Sequence, residues 1–461
     1  MIKLSLAKKI LNILLKNGGD FSEIFIQKRI ANSLSLEDRK LENASSGFEL
    51  GCGLRLIRGD STFFAYIDSL TEEKILNAAK ILGSAVNSSS EVKVLDLAQR
   101  KLEQRWIIKD PPSKKKQAAK KEMLLKADSC AREYSGSIIQ VTGSLSDIEN
   151  EEFIASSEGL FIQNSSVKVF LAVNVVAEKK GQIRTGYKSF GKTSGYEIFD
   201  NTSPEDISLR AAIIAVKMLD AVNAPAGAFP VVIGPAFGGV IFHEACGHGL
   251  EADAIIKDAS VFKDRLNKKI ANSRVTAIDN PSMPYHWGSY TADGEGYPPG
   301  ENILIENGVL VNYITDYKSA KKTGFKRTGN GRRQSYRDIP LPRMSNTYIA
   351  CGNDNPDDII KSVSRGIYAK EFSGGQVDPA TGDFVFGISE GYLIINGVIA
   401  EPVKGATLIG NGPRILKKIE YVGNNLDFAP GFCGKAGQSI ANEVGQPTIL
   451  VSSMTVGGTS V

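Results

Sequence analysis

Two of the three histidines in this 461-residue chain stand five positions apart, with a glutamate directly after the first, in Ile241-Phe242-His243-Glu244-Ala245-Cys246-Gly247-His248-Gly249-Leu250-Glu251. Two imidazoles can hold a Zn2+ ion, and a neighbouring carboxylate can take a proton from water that the ion acidifies. The familiar zinc-protease spacing, H-E-x-x-H, is one residue shorter. On a regular helix residues advance by about 100°, so histidines four apart share a face, whereas histidines five apart diverge by about 140°. A fold that uses both must leave regular helical geometry between them. One i→i+5 turn restores a shared face, and Gly247 and Gly249 tolerate unusual backbone angles. The spacing predicts a helix over about 236–250 that widens or kinks at Gly247.

The segments around this run set the architecture. Apolar residues recur at helical spacing over 4–17 and stop at Gly18-Gly19. Period-two patterning then predicts strands at 22–28, 32–37, 49–56 and 62–68, followed by a helix over 71–82. Residues 87–112 open with a polar Asn-Ser run and close on Asp110-Pro111-Pro112, which reads as a linker. The same order returns: a helix over 115–134, strands at 137–145, 152–156, 160–164, 167–178 and 182–188, and a helix over 204–222 with Ser203 as its N-cap. No residue-level repeat accompanies the shared plan. After the small-residue linker 223–228 comes a buried strand, 229–233, that leads into the histidine helix. Beyond Glu251 helices become scarce and short apolar strands recur, at 274–278, 310–315, 347–350, 384–389, 391–395, 402–408 and 448–455. The expected fold class is α+β. An N-terminal α+β region of two layered units, 1–110 and 111–224, precedes a mostly-β C-terminal domain, 225–461, that carries the histidine helix.

The net charge of +4 is small for this length and gives no argument for nucleic acid or a membrane surface. The basic run at Lys114-Lys115-Lys116 lacks interleaved aromatics and reads as the solvated start of a helix. No stretch approaches the roughly 20 apolar residues that span a bilayer, and the N-terminus lacks the pattern of a signal peptide. Five scattered cysteines argue against a disulfide framework. The expected location is the cytoplasm.

A catalytic metal site needs a third ligand and one open position. Glu251 lies three residues past His248, on the same helical face, and is either that ligand or a carboxylate that orients an imidazole. His286 is the one remaining histidine, between Tyr285 and Trp287. Cys433 sits in a Gly-rich turn near Lys435, where a thiolate is a plausible soft ligand. Chemistry alone ranks Glu251 first.

Longer stretches carry a resemblance: HEACGHGLEAD at 243–253, RRQSYRDIPLPRMSNTY at 332–348, GGQVDPATGDFVFGISEGYLI at 374–394, PVKGATLIGNGPRILKKIEYVGNNL at 402–426, PGFCGKAGQS at 430–439 and VGQPTILVSSMTVGG at 444–458. With these the chain resembles the TldD/PmbA family of zinc metalloproteases, on its TldD-type, catalytic side. The resemblance implies Zn2+ held by His243, His248 and Cys433, with Glu244 as general base. It also implies action on unfolded or small polypeptides and a dimer, either homodimeric or with a PmbA-type paralogue. Cys246 occupies a variable position of the motif, and Gly294 stands where an acidic residue is expected. The expected function is zinc-dependent peptide-bond hydrolysis. The competing expectations are a metal-dependent amidase acting on a small molecule and a scaffold subunit whose zinc is structural.

Overall fold

A computed structural model of the chain describes residues 2–87, 92–100, 102, 105–378 and 380–459. The fold is α+β with a mostly-β C-terminal region. Helix α1 (Leu4–Leu15) buries Ala7, Ile10, Leu11, Leu14 and Leu15 at helical spacing. Each of the buried Ile and Leu side chains contributes ~1.5–3 kcal/mol of transfer free energy. Three antiparallel strands follow, β1 (Phe21–Glu37), β2 (Lys40–Arg58) and β3 (Ser61–Ile67), and then α2 (Glu72–Ser84). The linker holds the short β4 (Ala98–Arg100), and its expected residues Ser88–Ser90 lie outside the described residues. Helix α3 (Gln117–Tyr134), β5 (Ile138–Ser156), β6 (Leu160–Lys179), β7 (Gln182–Lys192) and α4 (Pro204–Lys217) complete the N-terminal half. Ser203 caps α4 in a capping box with Asp206.

Several expected strands merge. Residues 22–28 and 32–37 belong to one strand, as do 137–145 with 152–156 and 160–164 with 167–178. The polar stretches between them, such as Asn150-Glu151-Glu152 and Asn164-Ser165-Ser166, stay in the ladder because neighbouring strands pair with them. Hydrophobic alternation fades there while the backbone hydrogen bonding continues.

The two N-terminal units share one sheet. Its order is β3-β2-β1-β5-β6, with β4 and β7 both pairing β6, and the β1–β5 ladder joins the units from Glu23↔Ser156 to Glu37↔Thr142. Alternate residues face opposite sides. One face, with Ile24, Leu34, Val141, Leu145, Phe153 and Leu171 among its residues, packs in two apolar clusters with the four helices. On the other face Phe25, Ile154 and Ile162 pack against Ala292 and Tyr336, and Phe170 against Trp287, which docks the sheet on the C-terminal half. Polar contacts reinforce this junction: Arg55 pairs with Glu23 at 2.7 Å and with Glu295 at 2.8 Å, all three buried.

The C-terminal half contains an eight-stranded mixed sheet and a six-stranded sheet. The larger includes Gly227–Ile233, Arg365–Asp378, Asp383–Ile395 and Ile449–Gly457. The smaller includes Asn346–Ile349 and the hairpin Asp427–Lys435 with Gln438–Gln446. Ile241, Phe242, Ala245 and Leu250 of the histidine segment sit in one core with Val231, Ile233 and Val451 of the larger sheet and Ile305 and Ile349 of the smaller.

Candidate metal centre

The histidine segment is not one widened helix. A 3-10 turn, Ala236–Gly239, runs into an α-helix, Val240–Ala245, and a second 3-10 turn, Gly247–Leu250, follows. The break falls on Cys246, at φ −130° and ψ −47°, rather than on Gly247, and no i→i+5 turn forms. The outcome the spacing demanded is met by another route: the break rotates the second histidine back toward the first, and the imidazole centroids lie 5.1 Å apart at 81°. Gly247 serves packing here, since an added Cβ would come within 2.2 Å of the buried Met344 Sδ. Gly239 lets the segment approach the Gln438–Gln446 strand, where an added Cβ would meet the Gly445 oxygen at 2.6 Å.

That strand and its hairpin partner bring the distant chemistry. The ligand atoms of His243, His248 and Cys433 all lie within 4.8 Å of one another. Cys433 Sγ is 3.5 Å from His248 Nε2. His243 and Cys433 are buried, and Glu244, whose side chain is one-third exposed, places Oε2 3.7 Å from His248 Nε2. Zinc held tetrahedrally by two nitrogens and a sulfur spaces its ligand atoms by about 3.3–3.7 Å. The 3.5 Å between Cys433 Sγ and His248 Nε2 already falls in that range, and the donor set of two imidazoles and one thiol suits zinc.

Burial pushes the Cys433 thiol up, but hydrogen bonds from His243 and His248 and their charge outweigh it and hold the thiol at about 5. The group is a thiolate at neutral pH, the form that binds metals. Burial disfavours charge on His248, yet the Glu251 carboxylate and Cys433 raise it well above the ordinary imidazole range. Burial likewise opposes ionisation of Glu251, and Lys435 and His248 overcome it and lower its carboxyl far below the usual range.

Glu251 is not among the converging ligand atoms. Its Oε2 meets His248 Nδ1 at 3.0 Å, and it also accepts hydrogen bonds from Lys435 Nζ at 2.8 Å and from the Met344 N–H at 3.3 Å. His286 lies elsewhere, with Nδ1 2.5 Å from Glu443 Oε2. Cys246 is buried in the apolar core, which pushes its thiol up, outside the metal cluster. Two contacts were not anticipated from sequence. Asn442 Nδ2 lies 3.3 Å from His243 Nδ1, and Arg343 Nη2 donates to the Cys433 carbonyl at 2.5 Å. Both residues fall in or beside the quoted stretches, but nothing in their type marks them as neighbours of a metal.

Comparisons with known proteins agree along the whole chain. Residues 22–87, 110–219 and 226–458 match, in turn, domain 1, the central domain and the C-terminal domain of the PmbA/TldA metallopeptidases. The chain is 37% identical over 449 residues to a metalloprotease TldD homolog of Buchnera aphidicola from Acyrthosiphon pisum, covering 95% of this chain and 93% of that one. It is 36% identical to a metalloprotease TldD homolog of Haemophilus influenzae, with coverage of 98% and 95%. A zinc metalloprotease TldD homolog of Saccharolobus solfataricus is 30% identical, with coverage of 96% and 97%. Among solved structures, a Thermotoga maritima protein described as a putative modulator of a DNA gyrase superposes with a TM-score of 0.82 at 22% identity, over 99% of this chain and 100% of that one. TldE from Thermococcus kodakarensis superposes with a TM-score of 0.79 at 20% identity, over 98% and 100%. These two likenesses carry the fold.

Proposed function

We propose, from the premise that this chain belongs to the PmbA/TldD metallopeptidase family and is a metallopeptidase, that it hydrolyses peptide bonds in unfolded or small polypeptides with zinc as its metal. The observation that carries this reading is the convergence of His243, His248 and Cys433 within 4.8 Å beside a partly exposed Glu244. His243, His248 and Cys433 are the residues that hold the ion. Zinc bound there supplies Lewis-acid polarisation of the scissile carbonyl and acidifies water. Glu244 accepts a proton from the attacking water and delivers it to the leaving amine. Glu251 fixes the ring of His248 through Nδ1, which leaves Nε2 facing Cys433 Sγ and free to serve as a ligand, and Asn442 stands against the ring of His243.

A purely structural zinc is closed by four protein ligands. Among the described residues the cluster offers three, and this favours catalysis over a scaffold role. The Saccharolobus relative's name includes zinc, which supports the choice of metal. The resemblance carried by the quoted stretches supports pairing with a PmbA-type paralogue, the alternative being a homodimer. The five free cysteines fit the reducing cytoplasm. The test is hydrolysis by the zinc-loaded protein of an unfolded protein such as reduced casein, compared with small amides. Cleavage of the polypeptide alone supports the reading, and turnover confined to small amides replaces it with the amidase.

A further inference from the structure

Behind the Cys433 strand, between the N-terminal sheet and the C-terminal half, lies a cavity of about 170 Å³. Its floor is a patch of the sheet formed by alternate residues of three strands. The register Gln27↔Glu152↔Asn164 makes one row and Arg29↔Asn150↔Ser166 the next, with Lys168 at the end of the patch. This is the polar stretch at which the expected strands lost their apolar alternation. Its roof includes Trp287, Arg333 and Phe432. Neighbouring strand residues point to opposite faces, so Phe432 borders this cavity while Cys433 faces the candidate metal centre.

The cavity concentrates hydrogen-bonding groups that have no use inside the protein. The Arg333 side chain is 1% exposed and lies over the Phe25 ring. Its Nη2 binds Glu23 and the Gly294 carbonyl, but its Nε and Nη1 have no partner among the described residues. Arg29 Nε and Asn150 Oδ1 are also buried without partners. A buried polar group left unsatisfied is costly, more so when charged, and such groups recur at sites that take up an ion or ligand. Rotation of the Asn150 amide presents its NH2 group in place of its oxygen. The two carboxylates on the walls are already engaged: Glu152 accepts from Asn164 at 3.1 Å, and Asp293 accepts from the N–H groups of Glu295, Tyr297 and Gly331. The unused nitrogens of Arg333 and Arg29 are thus guanidinium donors on residues that line one cavity, and guanidinium is the side-chain group that suits carboxylate recognition.

We propose that this cavity binds a carboxylate, presented either by a small free acid or by the C-terminus of a peptide, with Arg333 and Arg29 as its donors. Its size suits one carboxylate-bearing group rather than a larger ligand.

Calorimetric titration of the zinc-loaded protein with succinate at low ionic strength tests the free-acid source. The peptide source is tested on Glu244→Gln, in which the peptide persists, with acetyl-tetraalanine against its C-terminal amide. One-to-one binding of succinate, or of the acid peptide but not the amide, supports the site and identifies the source. Neither arm depends on turnover, so failure here is distinct from failure of the peptidase reading. Arg333→Lys retains a charge for Glu23 but loses the planar fork, and it should weaken binding at least tenfold. Arg29→Gln, at a half-buried surface position, should do the same and decides the matter if Arg333→Lys fails to fold. No heat beyond dilution from either probe, or binding unchanged in the folded variants, overturns the proposal and leaves a cavity that holds only water.

Discussion

Glu251 Oε2 lies 3.0 Å from His248 Nδ1, on the opposite side of the imidazole from the Nε2 that faces Cys433 Sγ at 3.5 Å. The carboxylate nearest in sequence to the second histidine therefore grips the ring from behind, and a cysteine from a distant hairpin completes the front. Removing an orienting carboxylate costs about 10–100-fold in metal affinity in comparable sites, whereas removing a ligand costs more. Glu251→Gln should weaken zinc binding by about 10–100-fold, and Cys433→Ala should weaken it further. Competition with a chromogenic chelator measures both. Zinc loss in Glu251→Gln with none in Cys433→Ala would reverse the assignment.

Glu244 is one-third exposed and near the cluster without being part of it. Glu244→Gln should keep stoichiometric zinc and lose about 10²–10⁴-fold in peptide turnover, the range of a general base. Steady-state kinetics on an unfolded protein, with metal content measured on the same sample, checks this. Unchanged turnover excludes the role.

The pKa pattern predicts how zinc uptake depends on pH. In the metal-free protein the Cys433 thiol is held at about 5, and His248 lies well above its ordinary value. Near pH 7 the thiol has already lost its proton while His248 retains one. Zinc binding should then release the His248 proton, and affinity should fall as pH is lowered. Titrations in buffers of different ionisation enthalpy count the protons. Zinc uptake without proton release would contradict a protonated His248. The lowered thiol also stabilises the metal-free fold, fully above its ordinary value of 9.0, with the contribution falling with pH and gone below about 5.

Gly247→Ala forces a Cβ to within 2.2 Å of Met344 Sδ. Met344 is fully buried, and its N–H donates to Glu251, so a shift there reaches the carboxylate that holds His248. The substitution should lower the melting temperature, with a cost of ~1–3 kcal/mol typical of overpacking, and it should weaken zinc binding. Met344→Ala should cost less when added to Gly247→Ala than it does alone. Strictly additive losses would show that the contact is not the cause.

Much of this was legible in the chain. The His243-Glu244…His248 spacing required a departure from helical geometry, and the α+β layout followed from changes in apolar period. Backbone detail was not legible: the break landed on Cys246, because packing of Gly247 against Met344 depends on a residue far along the chain. The polar centres of three long strands read as interruptions, since alternation reports an apolar face and these residues face a polar cavity. Chemistry alone favoured Glu251 over Cys433. Proximity in sequence says nothing of a hairpin that returns from the C-terminal end, and the family resemblance pointed to that candidate. Arg343 and Asn442 went unassigned because a guanidinium on a carbonyl and an amide beside an imidazole have no signature outside three dimensions.

X-ray absorption at the zinc edge of the loaded protein reads the ligand set itself. The shell should hold one sulfur at about 2.3 Å and two imidazole nitrogens at about 2.0–2.1 Å, with the remaining position filled by a light atom from solvent. In Cys433→Ala the sulfur contribution should vanish. A wild-type shell without sulfur, or one closed by four protein ligands, would contradict it.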